Sequence, residues 1–142
     1  MAFNVLIVDD SSSMRAVIKK VIKVSGFNVG NYFEAGDGME ALKVLETDWI
    51  DIVLSDINMP NMDGLSFLSE IKKNELFNSI PVVMITTEGS EETIQESMKL
   101  GASGYIKKPF SPADIKNTLS GLLGEEVSDV RGNDESDEEG DF

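Results

Sequence analysis

Five short apolar runs alternate with stretches of helical periodicity through residues 1–124, and this alternation narrows the possible folds more than any other feature of the chain. Runs of about four to eight residues are typical of strands buried on both faces. Because short connections and right-handed crossovers join each strand to the next through a helix, the strands must lie parallel, with helices on both faces of one sheet. The pattern predicts a five-stranded, doubly wound α/β fold with strands at Phe3–Val8, Val29–Glu34, Ile50–Asp56, Pro81–Thr86 and Gly104–Lys107.

Serine, glycine and proline mark the ends of the predicted helices. Ser11–Ser13, Ser90 and Ser111 are N-cap candidates, Pro112 suits the first turn of the last helix, and Gly26 should end the first helix. Each helix is expected to pack through an apolar stripe. The side chains predicted to pack, with Trp49 and Phe67 in addition to the helical stripes, are Met14, Val17, Ile18, Val21, Ile22, Met39, Leu42, Leu45, Leu65, Leu68, Ile71, Ile94, Met98, Ile115, Leu119 and Leu122.

The chain contains neither cysteine nor histidine. Disulfides, thiolate metal sites, imidazole bases and a phosphohistidine on this chain are therefore excluded. Phosphate or metal chemistry would have to use carboxylates, hydroxyls, lysines and backbone amides. Such oxygen ligands suit a hard cation such as Mg²⁺.

Negative charge is concentrated at the C-terminus. The net charge is −14, and residues 125–142 hold nine of the 26 acidic residues but only one of the 12 basic residues. Apolar residues nearly vanish after Gly124, so we predict one domain at residues 1–124 and a disordered acidic tail at 125–142. The body is itself acidic, which argues against nucleic-acid binding through a basic face.

Neither a secretion signal nor a membrane span is apparent in the chain. The N-terminus lacks a basic region followed by a long apolar run. No stretch approaches the roughly 20 apolar residues needed to cross a bilayer. We therefore expect a soluble, cytoplasmic protein with no membrane partner.

Polar side chains follow four of the predicted strands. Asp9 and Asp10 follow the first, Asp56 the third, Thr86 closes the fourth and Lys108 follows the fifth. The carboxyl ends of parallel strands meet at one edge of a sheet, where open α/β folds place their ligand sites. Three clustered carboxylates repel one another, and a divalent cation removes that conflict.

The predicted cluster favours phosphoryl chemistry assisted by Mg²⁺. The backbone carbonyl of Asn58 could add a neutral metal ligand beside the carboxylates, and open positions would take water and phosphate oxygens. Lys108 and the Thr86 hydroxyl could contact a phosphoryl group. Because the cluster contains no strong base, the simplest reaction is attack of an ionised carboxylate on phosphorus, with Mg²⁺ and lysine neutralising the charge.

Several motifs, in the same order and register over residues 3–123, give the chain a specific resemblance. It is similar to the receiver domain of two-component response regulators, and within that family to the single-domain chemotaxis regulators. The motifs that carry the resemblance are Val8-Asp9-Asp10, Glu34-Ala35-Gly36-Asp37-Gly38, Asp56-Ile57-Asn58-Met59-Pro60, Met62-Asp63-Gly64, Pro81–Thr86 and Gly101–Phe110. The resemblance implies the strand order 2-1-3-4-5.

The resemblance also implies how the metal is held. Asp56 corresponds to the family's phosphoacceptor. Asp10, Asp56 and the backbone carbonyl of Asn58 correspond to its direct Mg²⁺ ligands. Asp9 corresponds to the acid that reaches the metal through water.

Other positions correspond to the residues that neutralise, transmit and end the phosphorylation signal. Lys108 corresponds to the lysine that pairs with the phosphoryl group, and its bond to Pro109 to a cis peptide bond of the family. Thr86 matches the switch hydroxyl, and Tyr105 the aromatic residue that turns inward when the hydroxyl moves. Glu88 and the Asn58 side chain occupy positions that tune how fast water removes the phosphoryl group.

Most of these residues also have a purely structural interpretation. Asp56 alone could cap a loop, and Asp9 and Asp10 could cap the first helix. Thr86 could be an ordinary strand residue, and Tyr105 could simply pack half-buried. Their joint occurrence at one sheet edge favours the functional interpretation.

The function implied by the resemblance is a signalling switch. A histidine kinase or phosphotransfer protein would donate the phosphoryl group to Asp56, and the face formed by the fourth helix, fifth strand and fifth helix would change its affinity for a protein partner. The expected protein is a monomer that catalyses only its own phosphorylation and dephosphorylation, in chemotaxis, with a phosphorelay or developmental regulator as the alternative pathway. Alternatives of another class are a metal-dependent phosphohydrolase with an aspartate nucleophile and a flavin-binding domain of the same fold.

Overall fold

The computed structural model describes residues 2–87 and 90–124. The order of elements is β1 (Phe3–Val8), α1 (Ser12–Ser25), β2 (Val29–Ala35), α2 (Gly38–Thr47), β3 (Ile52–Ser55), α3 (Gly64–Lys73), β4 (Val82–Thr86), α4 (Glu91–Lys99), β5 (Gly104–Lys107) and α5 (Pro112–Leu123). The predicted acidic tail and Glu88 lie outside the described residues.

The five strands form one parallel sheet in the order β2-β1-β3-β4-β5. The predicted α/β class, strand number and strand order are therefore confirmed. β1, β3 and β4 lie inside the sheet, and every residue of β3 and β4 is buried. Continuous apolar runs are typical of strands that are buried on both faces of a sheet.

Two apolar layers cover the sheet, one on each face. The layer beneath α2 and α3 is built around Leu6, Val53 and Phe67, and the layer beneath α1 and α5 around Ile7, Leu54 and Ile115. Because successive strand residues point to opposite faces, Leu6 and Ile7 contribute to different layers.

Local caps form the helix ends as the sequence predicts. The Ser11, Ser90 and Ser111 side chains accept hydrogen bonds from the first turns of α1, α4 and α5. Gly26 ends α1 with φ +83°, a conformation that glycine adopts without strain. The predicted helix boundaries at these residues are confirmed.

The prediction that the helical stripe residues and Trp49 pack inside is wrong at three stripe positions and at Trp49. Val17, Met39 and Met98 are about half exposed, and Trp49 is 78 % exposed. Met39 lies two residues before the buried Ala41, which places it on the far side of α2. The Trp49 indole instead lies on the surface of the α2–β3 loop, where its N–H donates to Asp51 at 2.9 Å.

No helix within the described part of the chain is long and apolar enough to cross a membrane.

Candidate functional site

The carboxyl ends of β1 and β3 bring three aspartates together. Val8 pairs with Ser55 at the last rung shared by these strands, so Asp9, Asp10 and Asp56 follow adjacent strand ends. One carboxylate oxygen from each aspartate lies within 4.8 Å of the others. The predicted cluster is therefore present, and its three acids differ in exposure, with Asp9 buried and Asp10 exposed.

Asp9 is held firmly at the base of the cluster. Its carboxylate accepts a hydrogen bond from the Ser11 N–H at 2.9 Å, and its other oxygen lies 3.4 Å from the Lys108 ammonium. Its own N–H donates to the Ala35 carbonyl at the end of β2. Asp9 is only 2 % exposed. Its hydrogen bond and ion pair therefore replace the interactions with water that a buried carboxylate loses.

Asp56 is less deeply placed and opens toward solvent. Its N–H continues the sheet ladder by donating to the Val8 carbonyl, and one carboxylate oxygen accepts from the Ile57 N–H at 2.7 Å. Burial raises the pKa of the Asp56 carboxyl above its ordinary value, only partly offset by the Ile57 N–H and Lys108, while Asp9 and Asp10 raise it further. The ionised form of Asp56 is therefore destabilised, and a bound cation would stabilise it.

Lys108 supplies the positive charge that the cluster has without a metal. Its ammonium lies 3.4 Å from Asp9 and 3.8 Å from Asp56, and the side chain is 12 % exposed. The Lys108 N–H donates to the Thr86 carbonyl, which ties the residue to the end of β4, and its bond to Pro109 is cis, as predicted. One ammonium against three carboxylates in the cluster leaves a net negative site.

The raised pKa of Asp56 predicts an effect on stability. Because the folded state binds the Asp56 proton more tightly than the unfolded state, the free energy of unfolding falls as the pH rises through the raised pKa. In metal-free protein, Asp56→Asn should therefore increase the free energy of unfolding at pH 7, and this gain should shrink as the wild type becomes protonated at lower pH. Urea denaturation across a pH series with a chelator measures the difference.

Saturating Mg²⁺ provides the control for this experiment. A cation that binds the ionised cluster of the folded protein should stabilise the wild type and reverse the advantage of Asp56→Asn. A stability difference that grows on acidification would contradict the origin assigned to the pKa shift.

The composition of the cluster fits a hard divalent cation. All three side chains offer carboxylate oxygens, and exposed Asp10 leaves one side open to solvent. Mg²⁺ prefers oxygen ligands and keeps several waters, so it needs only such a partly open set. Asn58, whose backbone carbonyl is the fourth predicted ligand, is exposed two residues beyond Asp56.

The predicted switch residues lie on β4, which pairs with β3, and on β5, which pairs with β4. Thr86 is 1 % exposed at the end of β4, next to Lys107 of β5. The Tyr105 hydroxyl is buried and has no hydrogen-bond partner within residues 2–87 and 90–124. A buried hydroxyl without a partner costs free energy. No hydrogen bond from the described residues therefore holds the Tyr105 ring in this position. Glu88, the remaining predicted residue, lies outside the described residues.

One residue beside the site was absent from the sequence predictions. The Arg15 guanidinium donates to the Asp9 backbone carbonyl and, through Nε, to Glu34 at 2.9 Å. Hydrogen bonds from Lys19, and then from Arg15, lower the pKa of Glu34 below its ordinary value. No signal in the sequence indicates this contact, because Arg15 lies one turn into α1 like an ordinary helix residue.

Comparisons with known proteins agree with this geometry. Residues 5–120 match the family model described as the response regulator receiver domain. The chain is 44 % identical over 120 residues to the chemotaxis protein CheY-3 of Vibrio cholerae serotype O1, covering 84 % of this chain and 91 % of the relative.

Solved structures show the same relationship. The Vibrio cholerae chemotaxis protein CheY4 superposes with a TM-score of 0.75 at 36 % identity, covering 87 % of this chain and 100 % of that one. CheY from Borrelia burgdorferi, solved in a CheX-CheY-BeF3-Mg+2 complex, has a TM-score of 0.73 at 35 % identity, covering 84 % and 88 %. The phosphohydrolase and flavin-binding alternatives are not favoured. The chain belongs to the response regulator receiver domain family and is a phosphorylation-dependent signalling switch of the CheY-like type.

Proposed function

We propose that Asp56 accepts the phosphoryl group and that Mg²⁺ bound by Asp9, Asp10, Asp56 and the Asn58 carbonyl assists the transfer. The observation that carries this proposal is the cluster of three carboxylates, in which Asp56 is partly exposed and has a raised pKa. Bound there, Mg²⁺ would supply positive charge that lowers the repulsion between an incoming phosphoryl group and the acids. The ionised Asp56 oxygen then forms the new bond to phosphorus as the donor's bond breaks.

Lys108 is proposed to stabilise the phosphorylated state. In the unphosphorylated protein its ammonium is shared between Asp9 and Asp56. A phosphoryl group on Asp56 would offer this ammonium a stronger anionic partner. The proposed reaction is transfer of the phosphoryl group to Asp56 followed by its hydrolysis. Asn58, which is exposed, and Glu88 would set how readily water reaches phosphorus.

The donor is proposed to be a histidine kinase or a phosphotransfer protein that presents phosphohistidine. This chain has no histidine, so it must receive the group from another protein or a small phosphodonor. The exchange would take place in the cytoplasm, where ATP charges the kinase. Residues 1–124 form the receiver unit in this scheme, and 125–142 form a separate acidic tail.

The output is proposed to be a change in the face formed by α4, β5 and α5. Tyr105, Lys107 and Asn117 line a groove of about 490 Å³ on this side of the molecule. Movement of the Thr86 hydroxyl toward the phosphoryl group would free space for the Tyr105 ring, whose hydroxyl has no polar anchor among the described residues. The face would then have two arrangements with different affinities for a protein target.

Chemotaxis is the proposed pathway, because the relatives reported above are chemotaxis proteins. Cells that lack this chain should lose directed swimming in soft agar, and the Asp56→Asn variant should not restore it. Normal chemotaxis in the deletion strain would instead favour a phosphorelay or developmental role.

The coupling between Asp56 and β5 can be tested with two neighbouring threonines. Thr86→Ala should still accept phosphoryl groups from acetyl phosphate and Mg²⁺, but the amide chemical shifts of β5 should change much less than in the wild type. Thr87→Ala is the matched control, because Thr87 is exposed one residue further along. Wild-type shift changes in Thr86→Ala, measured by nuclear magnetic resonance at equal phosphorylation, would contradict the switch.

A further inference from the structure

The loop between β3 and α3, residues 56–63, is held by two backbone hydrogen bonds. Near its C-terminal end, the Gly64 N–H donates to the Ile57 carbonyl at 2.7 Å. On its outer side, the Gly38 N–H donates to the Met62 carbonyl at 3.1 Å. Since Asn58 lies between these attachments, its position depends on where the N-terminus of α2 holds the loop.

Asp37 connects the start of α2 to the same loop. One of its carboxylate oxygens accepts from the Glu40 N–H at 2.9 Å and caps the helix, and the other accepts from the Asn61 side-chain amide at 2.8 Å. Asp37 is only 6 % exposed. The hydrogen bond from Asn61, followed by that from Glu40, lowers the pKa of Asp37 below its ordinary value.

Asn61 is a restrained point of the loop. Its φ is +66°, the one positive value at a non-glycine residue in the described ranges 2–87 and 90–124. Asparagine tolerates this left-handed conformation better than most residues, and the hydrogen bond to Asp37 then fixes its side chain. The chain approaches α2 so closely that a Cβ on Gly38 would lie 2.7 Å from the Met62 Cγ.

We infer that Asp37 and Asn61 are positioning residues for the metal site, acting through the loop that carries Asn58. This inference rests on the proposed function, in which Asn58 supplies a backbone ligand. Neither side chain belongs to the carboxylate cluster itself. Their hydrogen bond fixes the loop before the metal arrives, so the protein loses less conformational entropy when the metal binds.

An exchange of the two side chains separates positioning from simple helix capping. In Asn61→Asp, two carboxylates would face each other and push the loop away, although the Glu40 cap would be kept. The double variant Asn61→Asp with Asp37→Asn restores one donor and one acceptor in reversed order, at the wild-type net charge. Asparagine is also a good N-cap, so α2 should remain intact.

Calorimetric titration with Mg²⁺ gives the main readout, and protection of the Gly64 amide from hydrogen exchange in metal-free protein gives a second. Asn61→Asp should weaken Mg²⁺ binding about tenfold and lower the Gly64 protection, as loss of an outer contact to a metal ligand does. The double variant should recover both properties to within about twofold. Asn61→Gly keeps the backbone conformation without the contact, and it should also weaken binding about tenfold.

Asn4→Ala is the matched control, because the Asn4 side-chain amide donates to the Trp49 carbonyl at 2.7 Å at the opposite edge of the sheet. It should bind Mg²⁺ as the wild type does. Wild-type affinity in both Asn61→Asp and Asn61→Gly would overturn the inference, and so would failure of Asp37→Asn to rescue Asn61→Asp. Failure of the wild type to bind Mg²⁺ would instead overturn the proposed function.

Discussion

Asp56→Asn should reduce Mg²⁺-dependent phosphorylation of this protein to the background level. The amide that replaces the carboxylate carries no ionised oxygen to attack phosphorus, and it removes one of the three acids that would hold the metal. The expected result is no incorporation of radioactive phosphate from labelled acetyl phosphate under conditions that label the wild type. The fold should survive, because the variant removes the charge of a half-buried carboxylate.

Asp51→Asn is the matched control for this experiment. Asp51 precedes β3 as Asp56 follows it, so the same change of carboxylate to amide is made at the opposite edge of the sheet. Asp51 accepts hydrogen bonds from the Asn4 N–H and the Trp49 indole, and its role is therefore structural. Labelling of Asp56→Asn to the wild-type level would remove Asp56 as the phosphoacceptor.

Gly64→Ala should destabilise the fold and distort the site at the same time. A Cβ at Gly64 would lie 2.1 Å from the Asp56 carbonyl oxygen and 2.8 Å from the Ile57 Cα. Both neighbours are backbone atoms, so relief requires the strand end or the start of α3 to move. The free energy of unfolding should fall by about 1–3 kcal/mol or more, and Mg²⁺ binding should weaken with it.

Gly121→Ala makes the same substitution where nothing lies within 4 Å of the added methyl group. Gly121 lies inside α5, so alanine should raise the free energy of unfolding by about 0.5–1 kcal/mol. Urea denaturation of both variants measures the contrast. Equal unfolding free energies for Gly64→Ala and the wild type would mean that the loop is looser than the close approach implies.

The meeting of the site residues was predictable because it follows from sheet geometry. Asp9 and Asp56 each follow a run of buried residues, and parallel strands bring such positions to one edge whatever the helices do. Lys108 follows from the same rule at the end of β5, and its side chain reaches both acids. The strand order could not be predicted in this way, because periodicity alone does not specify it. It was predicted only from the resemblance to a known family.

The contacts that fix the loops were not predictable, because they join residues with no shared periodicity. Asp37 and Glu40 form a recognisable capping pattern in the sequence, but nothing there indicates that the second Asp37 oxygen binds Asn61. Arg15 likewise looks like an ordinary helix residue until its contact with the Asp9 carbonyl is seen.

Helix faces were predictable only in part, because apolar spacing indicates a stripe but not how much of it the sheet covers. Ile18 and Ile22 are buried in α1, whereas Val17 on the same predicted stripe is half exposed. Helix α4 shows the limit most clearly, since Ser97 is its one buried residue among those described and Met98 remains half exposed. Trp49 was predicted to pack because of its residue type. Its indole is exposed instead and donates a hydrogen bond to Asp51.

Locating the phosphoryl group on the wild-type protein tests most directly whether Asp56 is the phosphoacceptor. Protein treated with acetyl phosphate and Mg²⁺ would be digested rapidly at low temperature, and its peptides sequenced by mass spectrometry. One phosphoryl group is expected on Asp56 when Mg²⁺ is present, and none when a chelator replaces the metal. A phosphoryl group on another residue, or equal labelling of Asp56 without Mg²⁺, would contradict this expectation.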